Sequence, residues 1–244
     1  MNAARWIVFA LLGFALPAIV PVHAQASFPL RSSKDGHHLV DRSGKPFFLH
    51  GDTAWSLIAQ LSPDDAELYL KDRAAMGFTA ILVNLIEHQF ATNAPANWAG
   101  DAPFTKPGDF ASPNPKYFEH ADRILKMAEK HGICVLLCPA YLGYKGRDEG
   151  FYQKQVANGR KAMRQYGEFL GTRYANQGNL IWVIGGDFTP PKESRWAVSE
   201  LVAGIRAHDT THLMTYHGQR EEVPWKEFGK EAWFSMSHVY TRTE

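Results

Sequence analysis

Residues 179–191 read NLIWVIGGDFTPP, and this stretch decides the fold. A short, unbroken run of large apolar residues, Leu180 to Ile184, predicts a strand buried on both faces, as in a parallel sheet. Alternation puts Ile181, Val183, Gly185 and Asp187 on one face and Leu180, Trp182, Ile184 and Gly186 on the other. A carboxylate therefore stands at the C-terminal end of a buried strand. The glycines beside it are expected to leave room for a ligand. Two prolines, Pro190 and Pro191, break the chain before the next helix.

Outward from this strand the same unit repeats. Segment 133–140, ICVLLCPA, is a second apolar strand, and segment 79–85, TAILVNL, a third. Segments 213–217 and 233–238 follow as strands. A further one runs from Pro46 into Gly51-Asp52-Thr53-Ala54-Trp55, behind a small hairpin marked by turns at Lys34-Asp35-Gly36 and Arg42-Ser43-Gly44. Helical patterns lie between the strands. Ser62-Pro63-Asp64-Asp65 offers an N-cap, a first-turn proline and acids at the positive dipole end, and the helix is expected to stop at Gly77. Others are expected from Asn114 to His131, over 152–174 and over 193–208. Residues 87–114 form a long loop rich in Pro, Asn, Trp and Gly.

Strand–helix alternation implies parallel strands joined by right-handed crossovers. No GxGxxG or GxxxxGK[ST] motif is present, so a nucleotide-binding open sheet is disfavoured. The expectation is a (β/α)₈ TIM barrel of which six strands are found. About 220 residues follow the leader, against roughly 250 for a whole barrel. The chain thus reads as truncated within the barrel, 28–244 being its N-terminal part. Its first and last large strands are then expected to be unpaired edges.

Residues 1–24 carry the marks of an export signal: Arg5, an apolar stretch from Trp6 to Val20, and Val22-His23-Ala24 ahead of Gln25. The mature protein is expected in the periplasm or outside the cell, with no membrane association after cleavage. A net charge of +1 argues against a nucleic-acid partner. Export permits disulfides, but Cys134 and Cys138 lie four residues apart in one strand. That separates their Cα atoms by about 13 Å, beyond the roughly 7 Å that a bridge tolerates, so both are expected as free thiols.

Polar residues gather at strand C-termini: Asp52, Asn84, Tyr141, Asp187, His217 and His238. In an α/β barrel that end carries the site. Three stretches in this order, His50-Gly51-Asp52-Thr53-Ala54-Trp55, Gly77-Phe78-Thr79-Ala80-Ile81-Leu82-Val83-Asn84 and Trp182-Val183-Ile184-Gly185-Gly186-Asp187, resemble the apiosidase-like glycoside hydrolase family. The resemblance implies an exported barrel hydrolase acting on plant cell-wall glycans, with apiose-containing pectin side chains the best-known case. It further implies that Asp187 is the general acid and that a partner Glu stands on a strand beyond residue 244.

The residues themselves suit such chemistry. Glycoside hydrolysis uses two carboxylates across the scissile bond, about 5 Å apart for retention and about 6.5–9.5 Å for inversion. Asp187 is the candidate catalytic group. His50, Asp52, Trp55, Asn84, Tyr141, His217 and His238 are candidates to hold an oligo- or polysaccharide, by hydrogen bonds to hydroxyls or by stacking. Glu87, on the long loop, reads as solvated. No cofactor and no metal are called for. Two alternatives stay open. One is a metal-dependent hydrolase, because His50, Asp52, His217 and His238 could meet at one mouth. The other is a carbohydrate-binding barrel without activity.

Overall fold

The computed structural model describes residues 26–241; the expected export signal lies outside them. Three two-residue strands come first: β1 (Arg31–Ser32), β2 (Leu39–Val40) and β3 (Pro46–Phe47), paired antiparallel in that order. The expected continuous run from Pro46 to Trp55 is in fact divided. Pro46–Phe47 belongs to this small sheet, and only β4 (Gly51–Thr53) joins the large one.

The large sheet has six parallel strands in chain order: β4, β5 (Ala80–Asn84), β6 (Cys134–Cys138), β7 (Leu180–Gly185), β8 (Met214–His217) and β9 (Met236–His238). Its connections contain α1 (Leu57–Gln60), α2 (Pro63–Ala75), α3 (Pro115–Lys130), α4 (Tyr152–Tyr174), α5 (Trp196–Arg206) and α6 (Pro224–Phe228). This is the expected (β/α)₈ topology over six strands. β4 and β9 are its two edges, as anticipated.

The capping chemistry is visible at the helix starts. The Ser62 hydroxyl accepts the Asp65 amide at 3.2 Å, and the Asn114 side chain accepts the Lys116 amide at 3.2 Å. α4 is not one smooth helix, because Gly159 breaks it with φ +78° and ψ 170°.

Alternation divides the sheet into two cores. Ile81, Val83, Val135, Leu137, Leu180, Trp182, Ile184 and Tyr216 pack against the helices. Ala80, Cys134, Leu136, Cys138, Ile181 and Val183 line the concave side, with Leu30, Phe28 and Phe47 of the N-terminal segment against them. Cys134 and Cys138 are buried free thiols, as expected. A polar knot underlies the helix side of β7. Buried Asp209 accepts Trp182 Nε1–H at 2.7 Å and pairs with His212 Nδ1 at 2.7 Å.

Candidate active site

The parallel register lets the inward face be followed from strand to strand. Ala80 pairs with Cys134, and Asn84 with Cys138; Gly185 pairs with His217, and His217 with His238. The C-terminal strand ends thus bring Asn84, His217 and His238 onto the concave side. Trp55, just past β4, and Tyr141, just past β6, complete the ring of groups. The Trp55 ring lies 5.9 Å from Tyr141 and 5.8 Å from His217, centroid to centroid. His217 stacks on His238 at 4.8 Å.

Asp187 sits among them. Tyr141 donates its phenol to Oδ2 at 2.8 Å, and Tyr240 donates to Oδ1 at 2.5 Å. His217 Nε2 lies 3.8 Å from Oδ1. The backbone explains the placement. Gly185, Gly186 and Asp187 have φ of +96°, +122° and +51°, so the chain turns sharply as the strand ends. The Asp187 side chain is aimed by this turn rather than by strand alternation. The expected room beside the glycines exists, but protein fills it. A Cβ on Gly186 would stand 2.2 Å from Tyr141 Cδ2, and one on Gly185 would stand 2.7 Å from the Tyr216 ring. Gly186 admits the Tyr141 ring, which then reaches Asp187.

The electrostatics around Asp187 are those of neutral donors. Burial holds His217 below the usual imidazole range, although Asp187 pulls the other way. His238 is brought down to about 4 by burial first and by His217 second. At neutral pH both rings are uncharged, so the 3.8 Å approach of His217 is a polar contact and not an ion pair. Burial, with the bond to Asp187, raises the Tyr240 phenol to about 12 and pushes Tyr141 up as well. Both phenols remain protonated donors.

Two expected residues lie elsewhere. Asp52 pairs in register with Ile81, whose side chain packs on the helices. Asp52 therefore faces α2, where its Oδ2 accepts Tyr69 OH at 2.9 Å and Arg73 at 3.1 Å. The Tyr69 donor, ahead of Arg73, holds its carboxyl below the usual range against the opposing effect of burial. His50 shares that parity and stacks on Phe78 at 4.6 Å, before the strand begins. Neither reaches the mouth, and the four-residue metal constellation does not form. Among the described residues no cluster of three or more His, Cys, Asp or Glu could hold a metal ion.

Two mouth residues escape the sequence reading. Tyr240 lies two positions beyond His238, where continued alternation would have placed it. Glu87 was expected to be solvated, but it is 1% exposed. Its Oε2 accepts Ser56 Oγ–H at 2.8 Å and Asn84 Nδ2–H at 3.4 Å, and its Oε1 accepts the His88 amide at 3.0 Å. The signal was present: Leu85 and Ile86 continue the apolar run of β5, so the chain was still descending into the core at residue 87.

Known structures share the fold of this chain. A glycoside hydrolase family 5 protein from Bacteroides vulgatus superposes with a TM-score of 0.73 at 26% identity, over 86% of this chain and 44% of that one. A second structure, described as a glycoside hydrolase, gives 0.72 at 27% identity over 86% and 45%. A family 5 mannosidase from Rhizomucor miehei, at 15% identity, shares the fold with a TM-score of 0.56 over 82% and 57%. The chain spans under half the length of the first two structures. No curated protein matches it. The family model for the apiosidase-like catalytic domain matches residues 33–244, and the chain belongs to the apiosidase-like family.

Proposed function

We propose that this chain forms the acid-bearing part of an exported glycoside hydrolase that cleaves apiose-containing side chains of plant cell-wall pectin. The observation that carries the reading is the setting of Asp187. It is a part-exposed carboxylate after the fourth barrel strand, held by two phenols inside a ring of Trp55, Tyr141, His217 and His238. Those rings offer apolar faces to sugar C–H groups, and the phenols and imidazoles offer hydrogen bonds to hydroxyls.

Asp187 acts as general acid, protonating the oxygen that leaves as the glycosidic bond breaks. The second carboxylate either attacks the anomeric carbon itself, forming a covalent glycosyl-enzyme that water then hydrolyses, or activates a water to attack it directly. Glu87 is unsuited to that task, since it is buried, only 1% exposed, whereas Asp187 is part-exposed. The partner is assigned to the part of the relatives' barrel that this chain does not span. Residues 1–24 act as a cleaved export signal. No helix among the described residues is long and apolar enough to cross a membrane.

The test is release of reducing sugar from apiose-bearing pectic oligosaccharides by the protein that carries this chain. Asp187→Asn should lower kcat by about 10²–10⁴-fold, the usual worth of a positioned general acid. Wild-type turnover in that variant would remove Asp187 from the role. Binding of the glycan with no bond cleavage would favour a carbohydrate-binding barrel instead.

A further inference from the structure

The buried pair Asn84 and Glu87 has a polarity that fixes what Asn84 can bind. Glu87 is an acceptor, and it takes protons from Ser56 Oγ, from the His88 amide and from Asn84 Nδ2. An amide beside a carboxylate must turn its NH₂ toward it, because its own carbonyl would find no proton there. The Asn84 Oδ1 atom is thereby turned the other way. It is buried, in a residue only 3% exposed, and has no partner. Asn84 stands on the concave side, in register with Cys138. Its backbone amide donates to the Trp55 carbonyl at 2.9 Å, which ties it to the aromatic rim.

A buried acceptor without a donor is costly, and such groups are normally met by a ligand or by ordered water. We infer that Asn84 Oδ1 is the acceptor for a substrate hydroxyl, and that Glu87 is the positioning residue that holds Asn84 in the orientation presenting it. This rests on the glycan-cleaving reading above and narrows it. Asn84 reads a hydrogen-bond donor on the sugar and cannot serve a carboxylate, whether of the substrate or of the enzyme. Ser56 acts one step further out, anchoring Glu87 from the start of α1.

Removing the carboxylate should unfasten the orientation. In Glu87→Gln the amide at position 87 can donate to Asn84 Oδ1, so Asn84 can flip and offer NH₂ to the sugar. The polarity-exchanged double variant, Asn84→Asp with Glu87→Gln, restores an acceptor on the concave side, because the amide at 87 can now donate to a carboxylate at 84.

The probe is an apiose-bearing oligosaccharide released from pectin, titrated calorimetrically into the protein that carries this chain. Asn84→Ala should weaken binding about tenfold, and Glu87→Gln between roughly threefold and tenfold. Adding Glu87→Gln to Asn84→Ala should cost nothing more, because both act through the same atom. The polarity exchange should return affinity to within about threefold of wild type, which a purely structural role for Glu87 would not do. Thermal melting confirms that each variant is folded. Wild-type affinity in Glu87→Gln, or no recovery in the exchanged pair, would overturn the inference while leaving the glycosidase reading intact. Failure of the wild type to bind the probe would instead strike the functional reading, and this inference with it.

Discussion

Acid should loosen the mouth through His238, and the size of the effect follows from the structure. In an unfolded chain this imidazole titrates at its ordinary 6.5, whereas in the folded protein burial and the stacked His217 bring it to about 4. Above pH 6.5 the ring is neutral in both states and contributes no slope. Between 6.5 and 4 the unfolded chain binds a proton that the folded chain refuses, so stability falls as pH falls. The interval is about 2.5 units, which at 1.36 kcal/mol per unit gives a ceiling of about 3 kcal/mol. The ring is only partly covered, and solvent screening lowers the expected loss to about 2 kcal/mol by about pH 4.5. His217 is depressed in the same direction and adds to the slope.

The assay compares wild type with His238→Phe, which keeps a ring against His217 but does not titrate. Urea unfolding is followed at about pH 7.5 and about pH 4.5. The variant should gain about 2 kcal/mol relative to wild type on acidification, or roughly 4–8 °C in melting temperature for a chain of this size. A difference between the two proteins that stays constant with pH would refute the reasoning.

Three further outcomes are expected. Gly186→Ala would drive a methyl to 2.2 Å from the Tyr141 ring at a φ of +122°, so stability should fall by about 3 kcal/mol in urea unfolding, and glycan binding should weaken as Tyr141 leaves Asp187. Asp209→Asn leaves Trp182 Nε1–H or His212 Nδ1–H without its acceptor in a buried site; a loss of about 2–4 kcal/mol is expected, with altered Trp182 fluorescence, and an unchanged melting curve would discount the knot. Asp52→Asn should cost about 1 kcal/mol through Arg73 and Tyr69 yet leave glycan affinity alone; a loss of affinity would return Asp52 to the mouth.

What could be read from the residues followed the strength of the local signal. The run Leu180–Gly185 is buried throughout, and alternation alone sorted its apolar side chains correctly onto two faces, though not which of them is inward. The cap at Ser62 needed only four residues to be read. At β4 the pattern failed. Three residues, one of them glycine, do not reveal which parity faces the core, so Asp52 and His50 were carried to the mouth when the register turns them outward. The run from Pro46 read as one strand because its residues favour extension everywhere, and nothing in them marks the change of sheet after Phe47. Glu87 was missed because a charge after a strand normally meets water. Its three donors come from Ser56, Asn84 and the next backbone amide, and the first of those, 31 residues away, is a choice made by the fold. The glycines were recognised as openings, but only the structure tells that Tyr141 enters there.

The order of the large sheet has a consequence for how the molecule is made. Among the described residues, each strand from β5 to β9 is hydrogen-bonded to the strand synthesised just before it. Every new strand–helix pair can settle on a template already in place, so the closure entropy of each addition is that of one connection alone. Assembly can keep pace with the ribosome, growing from one end like courses of brick.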